Sequence, residues 1–228
     1  MKIACCIFSY NVTKGMKSIG PIGSLKKNNK TGTLILQQIK YVRDIFRNVD
    51  IYIVTGFGAS KLLKDIPEKK YIHYIDNDQY QNKNYGYAFN LFLKHITSNL
   101  DSYDGVFFLD CNIIIKSLTY KKIKQSWVVL RNISKKNKSE YLGVKFDADN
   151  LQYLFYNIGD KAWCKSFYLT KQDLLSIIET RNFHDNMFMF EILNKIIEDK
   201  NIKIQSYDVH TKNDCVEILG LKDKNKIK

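Results

Sequence analysis

Val106-Phe107-Phe108-Leu109 runs without a polar residue straight into Asp110-Cys111-Asn112. Successive side chains of a strand point to opposite faces, so a strand with one wet face alternates apolar and polar residues. A continuous apolar run instead marks a strand covered on both faces, as at the centre of a parallel sheet. The carboxylate that ends the run is then carried to the mouth of that sheet. The segments on either side repeat the logic. Lys2 to Ser9 is another short apolar run, Ile51 to Thr55 is a β-branched one closed by Gly56-Phe57-Gly58, and Tyr71 to Ile75 is a third. Between them, Leu34, Ile35, Ile39, Val42, Ile45 and Phe46 recur at helical spacing behind a capping Thr33. Ala59 to Asp65 is helix-like, and Ala88, Phe89, Phe92 and Ile96 mark a further amphipathic helix. Strands alternating with helices predict an α/β fold: a single-domain mixed, mostly parallel central sheet with helices on both faces.

The second half is less regular. Trp127 to Leu130, Gly143 to Phe146 and Tyr153 to Tyr156 read as strands, Thr170 with Asp173 caps a helix through Leu174 to Glu179, and Met187 to Glu198 is another helix. Ile202 to Ser206 makes a last short strand before Asp208. No Ser/Pro/Gly-rich linker or internal repeat divides the chain, so residues 1–228 are expected to form one domain.

The chain has 228 residues, 45% of them hydrophobic and 13% aromatic, enough to bury a core and to exclude both a mini-protein scaffold and wholesale disorder. No stretch approaches the roughly 18 apolar residues of a membrane span, and the apolar opening lacks a cleavage site, so a soluble, cytoplasmic protein without a membrane partner is expected. Five cysteines without a C-x-x-C pair fit reduced thiols in that compartment. The net charge of +13 invites a nucleic-acid reading, but no binding motif accompanies it. The lysines alternate with asparagines and isoleucines, as on solvated surfaces, and the same field suits phosphate-bearing small molecules.

In open parallel sheets ligands bind beyond the carboxyl ends of the strands. Asp110 stands at such an end and could ligate Mg²⁺ bridging substrate phosphates, with Asn112 two residues on facing the same side. Asp208 follows another strand, with His210 after it. The loop Lys14-Gly15-Met16-Lys17-Ser18-Ile19-Gly20-Pro21-Ile22-Gly23 combines glycines, which let backbone amides approach a phosphate, with lysines that supply charge. Each admits a plainer reading: an Asp closing the turn after a strand, a hydrogen-bonded surface histidine, a flexible surface loop.

Several stretches, in order along the chain, carry a resemblance. Leu34-Ile35-Leu36-Gln37-Gln38-Ile39, Ile51 to Gly58 (IYIVTGFG), Asn77 to Leu93 (NDQYQNKNYGYAFNLFL), Phe107 to Asn112 (FFLDCN) and Tyr207 to Ile218 (YDVHTKNDCVEI) are similar to the motifs of the nucleotidyltransferases of the GT-A-like, Rossmann-like fold. That family joins a nucleoside triphosphate to a sugar phosphate or phosphocholine. The resemblance implies a nucleotide-diphospho-sugar transferase-like fold, with a nucleotide-binding half (1–112) and an acceptor-binding half with a closing strand (113–228). It implies nucleotidyl transfer to a phosphorylated acceptor, with pyrophosphate released and Mg²⁺ held by Asp110 and Asp208. The backbone from Ser9 to Gly23, including Asn11 and Gly15, would wrap the triphosphate, and Asn84 would sit near the base or the acceptor. Lys14 and Lys17 are the candidate catalytic cations, because Phe8 to Gly15 lacks the family's paired glycines and arginine. Asn112 also stands where many members have a second acidic residue. These departures keep two alternatives open: a catalytically degenerate member that binds a protein partner, and a glycosyltransferase of the same architecture using a nucleotide-sugar, with Asp110-Cys111-Asn112 as a D-x-D-like turn.

Overall fold

The computed structural model of the chain describes residues 1–10, 21–26, 32–67, 70–118, 124–133, 141–180, 183–200, 202–209 and 214–218. In chain order these form β1 (Ile3–Ser9), α1 (Leu34–Ile45), β2 (Val49–Thr55), α2 (Ala59–Lys64), β3 (Ile72–Asp76), α3 (Tyr85–Ile96), β4 (Gly105–Asp110) and β5 (Ile113–Ile115). Then follow β6 (Ser126–Asn132), β7 (Leu142–Asp147), β8 (Asn150–Tyr156), β9 (Lys161–Thr170), α4 (Lys171–Thr180), α5 (Met189–Lys200), β10 (Ile204–Asp208) and β11 (Cys215–Glu217). The main sheet has the order β10-β6-β9-β4-β1-β2-β3, with β7 and β8 leaving it beside β9. Strands β1, β2, β3 and β4 are mutually parallel, as are β6 and β10, and β9 runs antiparallel between β4 and β6. The mixed, mostly parallel α/β sheet predicted by the sequence is therefore present.

The run at 106–109 is the keel of the molecule. On one face Phe108 stacks on Phe167 (ring centroids 4.6 Å apart) and on Phe8 (6.2 Å), and meets Phe89 and Phe92 of α3. On the other, Phe107 packs against Phe46 at the end of α1 and Trp127 of β6. Helices α3, α4 and α5 cover the first face, and α1 and α2 the second. Burial on both sides is why β4 shows no alternation.

Three strands, β5, β9 and β11, go beyond the sequence expectation. β5 and β11 are three residues each and pair only with one another. β9 is ten residues long, but its sequence KAWCKSFYLT neither alternates cleanly nor runs apolar, because its pairing with β6 slips between Val128 and Leu130. At the caps, Thr170 and Asp173 bond as their spacing predicts: Thr170 Oγ1 accepts from the Asp173 N–H (3.2 Å) and donates to its carboxylate (2.8 Å). Thr33 holds the cap position of α1 without a side-chain bond. All five cysteines are unpaired and buried, and among the described residues no helix is long and apolar enough to cross a membrane.

Phe108 is fully buried, so Phe108→Ala should cost about 3–5 kcal/mol of unfolding free energy in a denaturant titration. Phe155, more than half exposed, should cost less than about 0.5 kcal/mol when changed to Ala.

Candidate functional site

Asp110 ends β4, level with Phe8 of β1, and is 7% exposed. The turn that follows is stitched from three sides. The Cys111 N–H donates to the Phe8 carbonyl (3.2 Å), and the Ile218 N–H donates to that of Asn112 (2.8 Å). The buried Gln38 amide on α1 donates to the carbonyls of Asp110 (3.0 Å) and Ile113 (2.7 Å). The carboxylate itself accepts from the Asn112 N–H (3.1 Å) and from the Tyr85 hydroxyl. Asn112 thus contributes its backbone to Asp110.

Tyr85 is the first residue of α3 and is delivered by local backbone chemistry. Asn84 caps the helix by accepting from the Tyr85 N–H (2.9 Å), and its own N–H donates to the Asp185 carbonyl (3.0 Å). Gly86 lets the chain at 184–185 come this close, since a Cβ there would meet the His184 carbonyl oxygen at 1.9 Å. The Tyr85 ring packs edge-on against Phe8 and Tyr10, which aims its hydroxyl at β4.

Lys165 comes from β9, at the slipped stretch of its pairing, with φ at 47°. Bulges of this kind re-aim side chains beside functional sites, and a positive φ on a non-glycine residue costs on the order of 1–3 kcal/mol. The ammonium lies 2.6 Å from Glu217 Oε1 of β11, whose other oxygen is 3.7 Å from Arg131 of β6. Burial pushes the Asp110 carboxyl above its ordinary value, against the pull of the Lys165 charge and the Tyr85 hydrogen bond. For Lys165, burial alone would lower the ammonium, but the charges of Asp110 and Glu217 outweigh it and raise it. Burial and the Asp110 charge hold the Tyr85 hydroxyl well above the usual phenol range, so it remains a donor.

These groups open onto a cavity of about 140 Å³ lined by Tyr85, Asp110, Leu142, Tyr156, Trp163, Lys165, Phe188, Met189 and Phe190. The Trp163 indole N–H is spent on the Ser166 carbonyl (3.0 Å). The Phe190 ring meets Tyr156 edge-on (5.6 Å) and stacks with Phe188 (6.2 Å). The walls are aromatic and the floor is charged.

The other expected site residues fall in several places. Ser9 ends β1 and is buried, its hydroxyl close to Gly23, where a Cβ would stand 3.1 Å from Ser9 Oγ and 2.7 Å from Leu62. Asn84 borders the site through its cap on Tyr85. Asn11, Lys14, Gly15, Lys17 and His210 lie outside the described residues. Asp208 ends β10, separated from β4 by β6 and β9. Three strand spacings put it on the order of 14 Å from Asp110, and its carboxylate pairs with Lys161 (2.6 Å). One Mg²⁺ requires its oxygens at about 2.1 Å, so an ion shared by Asp110 and Asp208 does not fit this arrangement. Nor do the described residues form a cluster of three or more acidic, His or Cys groups that could hold a metal. Tyr85, Lys165 and Glu217 were not singled out by sequence reasoning. Lys165 is one of 36 Lys and Arg residues, and only its strained backbone sets it apart.

No family model matches the chain, and no curated protein matches it in sequence. The fold, by contrast, is that of solved nucleotidyltransferases. The chain is similar to the CTP:phosphocholine cytidylyltransferase LicC from Streptococcus pneumoniae, with a TM-score of 0.75 and 14% identity over 99% of this chain and 97% of that one. It is similar to the nucleoside-diphosphate-sugar pyrophosphorylase from Vibrio cholerae RC9, with a TM-score of 0.70 and 9% identity over 98% of both chains. The inositol-1-phosphate CTP transferase from T. maritima superimposes with a TM-score of 0.68 and 14% identity, over 98% of this chain and 95% of that one.

The raised Asp110 carboxyl has a defined consequence for stability. A carboxyl whose folded pKa lies above its unfolded value of about 3.9 binds more protons in the native state, so stability falls as pH rises from there through the folded value. Melting temperature against pH should show that decline, and Asp110→Asn should flatten it.

Proposed function

We propose that the protein transfers a nucleotidyl group from a nucleoside triphosphate to a small phosphorylated acceptor. The observation that carries this reading is the Asp110–Lys165–Tyr85 site at the mouth of β4, in a fold shared over nearly its whole length with enzymes named for that class of reaction. In the reaction an acceptor phosphate oxygen attacks the α-phosphorus. The new P–O bond forms as the bond to the departing pyrophosphate breaks, so the triphosphate supplies both the transferred group and the leaving group. The protein's task is to position two anionic partners and offset their repulsion. Lys165 is placed to do so at the described site. Lys14 and Lys17, with the backbone at Ser9, Asn11, Gly15 and Gly23, complete the triphosphate cradle in this reading.

The acceptor side follows from the cavity. Of its lining residues, Tyr85 and Asp110 come from 1–112 and the rest from 113–228, which supports a nucleotide half and an acceptor half. The aromatic rings of Tyr156, Trp163, Phe188 and Phe190, with Leu142 and Met189, offer few hydrogen bonds for the hydroxyls of a sugar. They suit an acceptor with an apolar or quaternary ammonium end, which aromatic faces attract at about 0.5–2 kcal/mol per contact. Phosphocholine has that chemistry.

A thermal-shift screen against the four nucleoside triphosphates and common nucleotide-sugars tests the reading, since a ligand of the folded state raises the melting temperature by mass action. A shift with a triphosphate, and pyrophosphate release on adding phosphocholine, is the expected outcome. A shift with nucleotide-sugars alone would replace it by the glycosyltransferase, and none at all by a binding module. Phe188→Ala should raise the acceptor KM about tenfold, equivalent to about 1.4 kcal/mol, and leave the triphosphate shift unchanged.

A further inference from the structure

Among the described residues, Lys165 alone combines a positive φ with a place inside a β-strand; Ala148, Asn157 and Gly159 lie in loops between strands, Tyr71 lies between α2 and β3, and Gly58 caps α2. Glycine would take this backbone without strain, so a long cationic side chain held there points to a use for its charge. The bulge in β9 brings the ammonium 2.6 Å from Glu217 Oε1, at the end of β11, and into the lining of the cavity that Asp110 also borders, where its charge favours the Asp110 carboxylate. The side chain keeps 31% of its surface exposed, toward the cavity beside Asp110. An ammonium carries three donors, so one bond to Glu217 leaves capacity for a ligand oxygen.

The charge balance around it points the same way. Asp110 and Glu217 face Lys165, Glu217 also faces Arg131, and Asp208 is paired with Lys161. Among the described residues, each of these three carboxylates is thus faced by a side-chain cation. A divalent ion binds where carboxylates are in excess, and here the chain has supplied the opposing charge itself.

We propose that Lys165 is the resident cation of this site, taking the place beside Asp110 and Glu217 that a divalent ion would need, so that a phosphate group is held there without metal. This rests on the nucleotidyl-transfer reading for the identity of the phosphate ligand, but not for the charge exchange itself.

Two measurements on the full chain test it. Mn²⁺ binding is followed by electron paramagnetic resonance in the wild type, Lys165→Met, Lys165→Gly and the double variant Lys165→Met/Asp110→Asn. Lys165→Gly relieves the backbone strain and keeps the comparison interpretable if the Met variant folds poorly. The wild type should bind no Mn²⁺ above a non-specific background, each single variant should gain a site, and the double variant should lose it. Uptake by the wild type above that background would overturn the proposal, as would folded Lys165 variants that take up none. The triphosphate-induced melting shift is then compared in EDTA and in Mg²⁺. The wild type should shift equally in both, while Lys165→Met should lose about tenfold in affinity in EDTA. A wild-type shift that needs Mg²⁺ would overturn the proposal too. No triphosphate shift in any variant would sink the nucleotidyl-transfer reading alone, with the Mn²⁺ comparison still deciding the role of Lys165.

Discussion

Strand β4 is buried on both faces, between β1 running parallel to it and β9 running against it, and its last residue is a carboxylate. Phe107 and Phe108 anchor it in opposite cores, so the strand has no freedom to slide or rotate. Asp110 is consequently fixed where water is scarce. A buried carboxylate is costly unless it is hydrogen-bonded or faces a cation, and much of the surrounding architecture meets that demand. The cap at Asn84 and the close approach at Gly86 deliver the Tyr85 hydroxyl, the turn delivers the Asn112 amide, and the bulge in β9 delivers Lys165.

The other end of the sheet holds a useful contrast. Asp50, near the start of β2, is as deeply buried as Asp110. Its carboxylate accepts from the Tyr103 hydroxyl (2.6 Å), lies 2.8 Å from the Lys2 ammonium, and has Tyr52 bonded to Tyr103 behind it (2.9 Å). That network closes on itself and serves the fold. At Asp110 the corresponding groups border an aromatic-walled cavity, and the cation there sits on strained backbone. Two buried aspartates of similar exposure are distinguished by what lies beside them.

The likeness to solved nucleotidyltransferases at 9–14% identity is a likeness of fold. Parallel strands present their carboxyl ends together, so one architecture gathers groups of opposite charge at one mouth whatever particular residues stand there. Among the described residues of this chain, Asp110, Glu217 and Asp208 each face a cationic side chain.

Continuous apolar runs and helical spacing disclosed the parallel half of the sheet, the helices over it and Asp110 at its mouth, because those signals come from burial, which sequence reports directly. The Asn84 segment was legible as a place of interest, though its contribution is a helix cap that presents Tyr85. Strand β9 left little trace, since a bulge breaks the two-residue period by which a strand is recognised. With it went Lys165, which local sequence cannot tell from its many fellow lysines. Glu217 and Arg131 likewise acquire meaning only when β11 returns beside β5 and β6 pairs with β9. The sequence by itself determined which segments must be buried and hence where the sheet has its mouth. Only the tertiary structure decided which charges meet there, because a pairing across strands depends on register and chain crossing, and these are set by the packing of the whole sheet.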